Sequence, residues 1–482
     1  SYVGRVNYSY DDKYLFEFML RSDASAKFAP QNYWGMFPSW SAGWVISDEK
    51  WFDKDKTKID FLKIRGSFGI LGKDNVNAWL WTQLYTRNPD KGPIFGTNSS
   101  TNTSATIRMP KQGVNPDVHW DKTYKTNFGI DMAFLKNRMS ANLDFYYDMG
   151  REMFASHQGT SYYPNTVGIQ PAPENFGEVD TYGVELSLGW KDKIGKDMSY
   201  WVKLTTGYND NKIRETGWKA AYDFDKLVRN ERSDRGLWGY ECIGMFRSYQ
   251  EINEYFDKYS ITKYLGNTKE NVHPGMLIYK DVRGQYDEST GTFGPADGIV
   301  DEQDYIKISH RASNPYGGTL NFGFSYKDFS ISAQFGASWG AYSLVPTTMR
   351  KESYSEYSNV SAMWKDMFVY EDIYDANNIV TVAQNRNAKY PNIRYSSVNG
   401  APSTFWKVSA ATVQLRNMTV AYALPKEWLK IIGISSCRFN LTCQNVFNFL
   451  NPYPEGAWAS WAGSYGYYPN LRKFTLGVNV SF

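Results

Sequence analysis

Three cysteines (Cys242, Cys437 and Cys443) and four histidines are all that these 482 residues hold of the side chains that most often staple a fold or bind a transition metal. Three thiols leave one unpaired, and their spacing matches no metal-ligand pattern, so neither a disulfide framework nor a zinc site organises the chain. Charge of one sign is missing too: 53 Lys+Arg against 50 Asp+Glu leave a net charge of +3. Nucleic-acid binders draw affinity from clustered cations that neutralise phosphates, and that class is set aside. No run approaches the roughly 20 apolar residues of a membrane-spanning helix. His119, His157, His273 and His310 lie scattered, without a His-x-x-x-His pair or a Ser or Cys nucleophile motif. Paired carboxylates for glycoside hydrolysis need not be adjacent in sequence, but nothing points to them. No enzyme is expected.

What the chain has in quantity is aromatic side chains: 37 Tyr, 28 Phe and 17 Trp, in a protein whose mean hydropathy is only −0.54. They recur with period two. Val6, Tyr8 and Tyr10 alternate with Arg5, Asn7 and Ser9; after a turn at Asp11-Asp12, Tyr14, Phe16, Phe18 and Leu20 alternate with polar partners. The design returns in Phe128, Ile130, Met132 and Phe134, in Leu320, Phe322, Phe324 and Tyr326, and in Phe474, Leu476, Val478 and Val480 before the terminal Phe482. About thirteen strands are predicted, among them 40–47, 181–190, 408–423 and 472–482.

Alternation alone fits both a soluble sandwich and a barrel with its apolar face in lipid. Loop lengths separate them. Short turns alternate with long connections near residues 22–39, 72–121, 150–181, 210–316, 338–407 and 447–471. Compact soluble domains rarely carry several such loops, whereas outer-membrane barrels pair short periplasmic turns with long extracellular loops. The fold class expected is all-β: a transmembrane antiparallel β-barrel, its aromatics in the interfacial girdles. An odd strand count implies further strands before Ser1, which itself reads as the inside of a strand rather than a signal peptide.

Several stretches resemble the SusC/RagA-like TonB-dependent outer-membrane transporters of Bacteroidetes. They include Gly4-Arg5-Val6-Asn7-Tyr8-Ser9-Tyr10-Asp11-Asp12, Gly35-Met36-Phe37-Pro38-Ser39-Trp40, Leu62-Lys63-Ile64-Arg65-Gly66-Ser67-Phe68-Gly69, Leu415-Arg416-Asn417-Met418, Gln444-Asn445-Val446-Phe447, Tyr468-Pro469 and Thr475-Leu476-Gly477-Val478. The resemblance implies a 22-stranded barrel closed by an N-terminal plug, with residues 1–482 as a C-terminal portion of about 13 strands and the plug and signal peptide outside this chain. It implies TonB-dependent import of glycan oligosaccharides, a SusD-like surface lipoprotein and the TonB complex as partners, and a cell-outer-membrane location in contact with lipid. Oligopeptide import by the same machinery is the alternative, and a soluble carbohydrate-binding β-protein the alternative from another class.

Three groups of side chains are candidates for function. The family commonly carries Pro-Gly and then a calcium-loop-like Asp-x-Asn-x-Asp-Gly-x-Ile-Asp-x-x-Asp in an extracellular loop. Here Pro274-Gly275 precede Asp281-Val282-Arg283-Gly284, and Asp297-Gly298-Ile299-Val300-Asp301-Glu302-Gln303-Asp304 resume the pattern after Gln285–Ala296. The implied ligands of a Ca2+ or Mg2+ ion are Asp281, Asp297, Asp301 and Asp304, with the Ile299 carbonyl, since hard cations take converging oxygens. Arg283 stands where the family has an oxygen ligand, and Asp287 or Glu288 is the substitute the insertion offers. Trp79, Trp81, Trp218, Trp238, Trp339, Trp458 and Trp461 offer faces for sugar rings, set against girdle or loop packing. Arg5, Glu17, Arg21, Asp131, Asp144, Glu185 and Arg438 are expected to face the lumen or the plug.

Overall fold

The computed structural model describes residues 1–88, 106–108, 113–155, 171–217, 229–287, 289–351, 361–431, 433–451, 453–454 and 471–482. Trp218, Trp458, Trp461, His157, Glu288 and the Tyr468-Pro469 pair lie outside them. Thirteen long strands form one sheet in chain order: β1 (Tyr2–Tyr10), β2 (Tyr14–Ala24), β3 (Trp34–Val45), β4 (Ile59–Lys73), β5 (Asp121–Phe134), β6 (Met139–Ala155), β7 (Glu174–Ile194), β8 (Met198–Glu215), β9 (Tyr316–Tyr326), β10 (Phe329–Trp339), β11 (Thr412–Ala423), β12 (Ser436–Leu450) and β13 (Lys473–Ser481). No described helix is long and apolar enough to cross a membrane.

Tight turns set the registers. Asp11 and Asp12 take left-handed φ of 52° and 51°, a conformation short polar side chains tolerate, and Tyr10 pairs with Tyr14 across them. Lys327-Asp328 closes the β9–β10 hairpin in the same way, with Tyr326 opposite Phe329. Once the registers are fixed, side chains two apart share a face, so Phe16, Phe18 and Leu20 stand together with Trp40 and Phe68, and all five are kept from the polar row.

Two expected boundaries move. Half of the 22–39 loop is strand: β2 runs to Ala24 and β3 starts at Trp34, with Pro38 opposite Leu20. β7 spans 21 residues where 181–190 was expected, because ladder pairing with β6 continues out to Ala155 and Glu174 after the apolar alternation has ended. Backbone hydrogen bonds ask nothing of side-chain polarity, so strands outrun the segment their pattern marks.

The chain divides into two compact units. The first, Ser1–Trp190 with 205–220 and 226–233, is mostly β1–β7. Among its described residues a small buried cluster of Phe28, Val76 and Val118 forms, with Trp120 and Phe154 against it, where connections meet strand ends. The second contains β9–β13 and a separate loop fold drawn from the described residues of 237–309 and 341–409, on either side of β9 and β10 in the chain, built on an aromatic core of Tyr240, Phe246, Tyr255, Tyr264, Tyr279, Phe368 and Trp406. Short strands carry it: Cys242–Met245 against Leu277–Tyr279, Lys263–Tyr264 parallel to Ile299–Val300, and Tyr342–Leu344 against Lys407–Ser409. A helix, α1 (Tyr249–Lys258), is capped by Ser248, whose side chain accepts the Glu251 N–H, and it lays Ile252, Tyr255 and Phe256 into that core.

Candidate functional site

The polar face of β1–β7 is a row of charged groups that neutralise one another. Arg65 on β4 reaches across two strands: Nε donates to Asp131 at 3.0 Å and Nη2 to Asp144 at 2.7 Å, and Asn142 also donates to Asp131 at 2.7 Å. Gly129 makes room, since a Cβ there would lie 2.5 Å from the Arg65 Cζ. Arg5 pairs with Glu17, Arg21 with Asp23 at 2.6 Å, and Lys125 with Asp148 at 2.8 Å. Glu17, Lys125, Asp148 and Glu185 line an open recess of about 520 Å3. In the second unit Arg438 donates to Ser330 Oγ at 2.7 Å. Most of the lumen candidates are therefore engaged within the wall itself: side chains on neighbouring strands meet across the sheet as cross-strand pairs. The opposite face pairs aromatics instead, with Trp40 and Phe68 across the ladder at 4.9 Å. Phe16, Phe18, Leu20, Trp40 and Phe128 are all exposed, an apolar surface far larger than a water-facing sheet presents.

Of the described tryptophans, Trp79 and Trp81 pack against each other at 5.8 Å, and Trp238 donates to the Arg235 carbonyl at 3.0 Å beneath Lys307. Trp339 stacks on Tyr316 at 6.0 Å. Each has a neighbour that accounts for its place.

The two halves of the acidic loop meet around backbone N–H groups. Val300 is fully buried on the loop-fold core, which anchors the second half of the motif. Gly298, at φ +78°, sits where a Cβ would meet the Ser260 carbonyl oxygen at 2.5 Å, and its N–H donates to Asp281 Oδ2 at 2.8 Å. Asp297 accepts from the Ile299 N–H at 3.0 Å and Asp301 from the Gln303 N–H at 2.8 Å. Asp304 is fully buried: Oδ1 accepts from Val282 and Arg283 N–H at 2.7 and 3.1 Å, and Oδ2 from Asp301 N–H at 2.9 Å, completing a reciprocal capping box with Asp301. Burial raises the pKa of both Asp304 and Asp281 above the usual carboxylate range, with neighbouring acids adding to it, and burial lowers that of Arg283.

The implied cation is weighed on these contacts. Oxygen ligands of the right kind are present, and Asp281 Oδ1 is buried without a donor. Against this, no three His, Cys, Asp or Glu side chains among the described residues are arranged to hold a metal. Asp304 has spent three of its lone pairs on N–H groups, and Asp287 turns to its own hairpin, where Ser289 N–H and Oγ donate to it at 2.8 and 2.6 Å. As arranged, the donor set does not fit a calcium cage. Sequence reading missed the buried Asn399, which accepts from Leu277 N–H at 2.8 Å and donates to the Gly275 and Asn392 carbonyls; only the aromatic density around it hinted that residues 237–309 and 341–409 hold a core of their own.

No family model matches the chain. Over its whole length it is 24% identical to the TonB-dependent receptor P39 of Formosa agariphila, covering 46% of that protein, and 26% identical to the TonB-dependent receptor SusC of Bacteroides thetaiotaomicron, covering 43%. The whole chain also superposes on 47% of a chain of the RagAB peptide transporter, with a TM-score of 0.71 at 19% identity. It thus spans about half the length of these proteins, which are receptors and transporters rather than enzymes. With its lipid-suited apolar face and thirteen-stranded sheet, the chain is similar over its whole length to part of the SusC-like TonB-dependent receptors of the outer membrane, and its fold is that of part of the RagAB transporter chain.

Proposed function

We propose that the protein containing this chain imports glycan oligosaccharides across the outer membrane, powered through TonB and with a SusD-like lipoprotein at its outer face. The observation that carries the reading is the pairing of two properties: end-to-end similarity to SusC, and a sheet whose apolar row is exposed while its charged row is internally neutralised. A wall of this kind separates lipid from a polar passage and supplies no catalytic group, so its role is conduction. Oligopeptide import is the second reading, favoured by the fold match to the RagAB peptide transporter.

Uptake in a deletion strain tests both. Loss of growth on a class of oligosaccharides, restored by the wild-type gene and not by one lacking its TonB-contacting segment, supports the first reading. Loss confined to oligopeptides transfers the proposal to the second. Unchanged growth and uptake on every oligosaccharide and peptide tried overturns import.

A further inference from the structure

The acidic loop at residues 281–304 has the spacing of a cation site but is closed by contacts of its own. We propose that it closes on itself without a metal ion, through the Asp304 carboxylate and the Arg283 guanidinium. Asp281 to Gly284 and Asp297 to Asp304 are separated by twelve residues, and the insertion forms its own small hairpin, Tyr286–Asp287 against Thr292–Phe293. Something must hold the halves together beneath that hairpin. In an ion-closed loop the ion does so by collecting oxygens from both.

Here two side chains span the gap in opposite senses. Asp304, from the second half, takes the N–H groups of Val282 and Arg283 in the first at 2.7 and 3.1 Å, while its other oxygen holds Asp301 N–H at 2.9 Å. Arg283, from the first half, sends Nε to the Gln303 carbonyl at 2.5 Å and Nη2 to the Tyr305 carbonyl in the second. Its guanidinium also lies over the Phe293 ring at 4.1 Å, which ties the inserted hairpin to the same point. Charge-assisted hydrogen bonds of this kind are about twice as strong as neutral ones, and a fully buried carboxylate that receives three N–H groups has its charge solvated by the backbone. Gly298 N–H donates to Asp281 Oδ2 at 2.8 Å and adds a fifth hydrogen bond between the halves. Arg283 thus places a fixed positive charge beside the acids, attached to the chain, and its presence works against a second cation.

The test uses the full-length transporter in detergent, with hydrogen exchange of peptides covering residues 281–305 read in EDTA, in calcium chloride and in magnesium chloride. Protection of the wild type is expected to stay within about twofold across the three conditions. Asp304→Ala and Arg283→Met are expected to lose about tenfold in protection in all three, while Asp281→Asn stays near wild type, since Oδ2 keeps its N–H partner. Should either Asp304→Ala or Arg283→Met fail to fold, the wild-type and Asp281→Asn arms still decide. A saturable gain of about tenfold in protection on adding calcium or magnesium, abolished by Asp281→Asn, overturns the proposal.

Discussion

Phe18 on β2 and Trp406 in the loop fold are both large aromatic residues in a chain of soluble-looking hydropathy, yet Phe18 is 38% exposed and Trp406 only 1%. The first stands in a row on one face of a strand, with Trp40 beside it across the ladder. The second is enclosed: its Nε1 donates to the Asn399 carbonyl at 2.6 Å, Phe405 meets it edge-on at 4.7 Å, and Tyr390 stacks on it at 6.3 Å. A strand wall is stabilised by ladder hydrogen bonds and cross-strand pairs and leaves its apolar side for lipid; a loop fold must exclude water by itself and so builds an ordinary core. The two regions therefore differ in which residues they depend on, and substitutions separate them.

The largest effect is expected at Trp406. Trp406→Ala removes the centre of the aromatic cluster and should destabilise the loop fold by about 4 kcal/mol, while the β-rich circular dichroism and heat-modifiable gel migration of the wall stay unchanged. Proteolysis confined to residues 237–309 and 341–409, with β9 and β10 between them left intact, is the readout. Loss of the wall signature in the same variant would show that the two regions fold as one, and the contrast would fail.

Next comes the wall's apolar row. Phe18→Arg places a charge in lipid at mid-strand and should cost about 2–4 kcal/mol, whereas Ser41→Arg, on the opposite face, should leave stability nearly unchanged and alter only what passes. Refolding into liposomes from urea measures both. Equal penalties would mean that β2 and β3 do not divide lipid from lumen.

Within the wall, the Arg65 cluster gives a smaller change. Arg65→Ala leaves Asp131 and Asp144 without their shared cation and, with Arg65 about one-third exposed, should cost about 1–2 kcal/mol. Gly129→Ala should cost about 1 kcal/mol by displacing the guanidinium, and nothing further once Arg65 is gone, so the pair is expected to be non-additive.

These contrasts also mark how far the sequence could be read. Strand identities were legible because the face of every residue follows from period two: β1 runs over Tyr2–Tyr10 as its alternation predicts, and all thirteen strands appear. Strand ends were not, because the ladder of β7 continues through residues whose side chains carry no pattern. The acidic loop was picked out by its likeness to the family's Asp-rich motif, and in the structure Asp281 and Asp304 each take backbone N–H groups from the other half of it. Spacing does not say whether their oxygens face an ion or N–H groups; that depends on where Arg283 and the inserted hairpin settle. The loop-fold core was hidden for a related reason: its aromatics come from segments more than a hundred residues apart, such as Tyr279 and Trp406, with no period to connect them.

Cys242 gives the mildest test and joins the others. It sits in the loop fold, its Sγ donating to the Gly244 carbonyl at 3.3 Å, and burial pushes its thiol up to about 11. Thiolate is the reactive form, so at pH 8 alkylation by iodoacetamide should run roughly 200-fold slower than at an ordinary exposed cysteine. Site-resolved mass spectrometry of the labelled protein reads this directly. Because the shift comes from burial, Trp406→Ala should return Cys242 toward normal reactivity, while Phe18→Arg and Arg65→Ala, which act on the wall, should leave it slow. A Cys242 that labels quickly in the wild type, or equally in all three variants, would mean that the loop fold admits water to its core, and that the aromatic cluster around Trp406 does not enclose it as its contacts indicate.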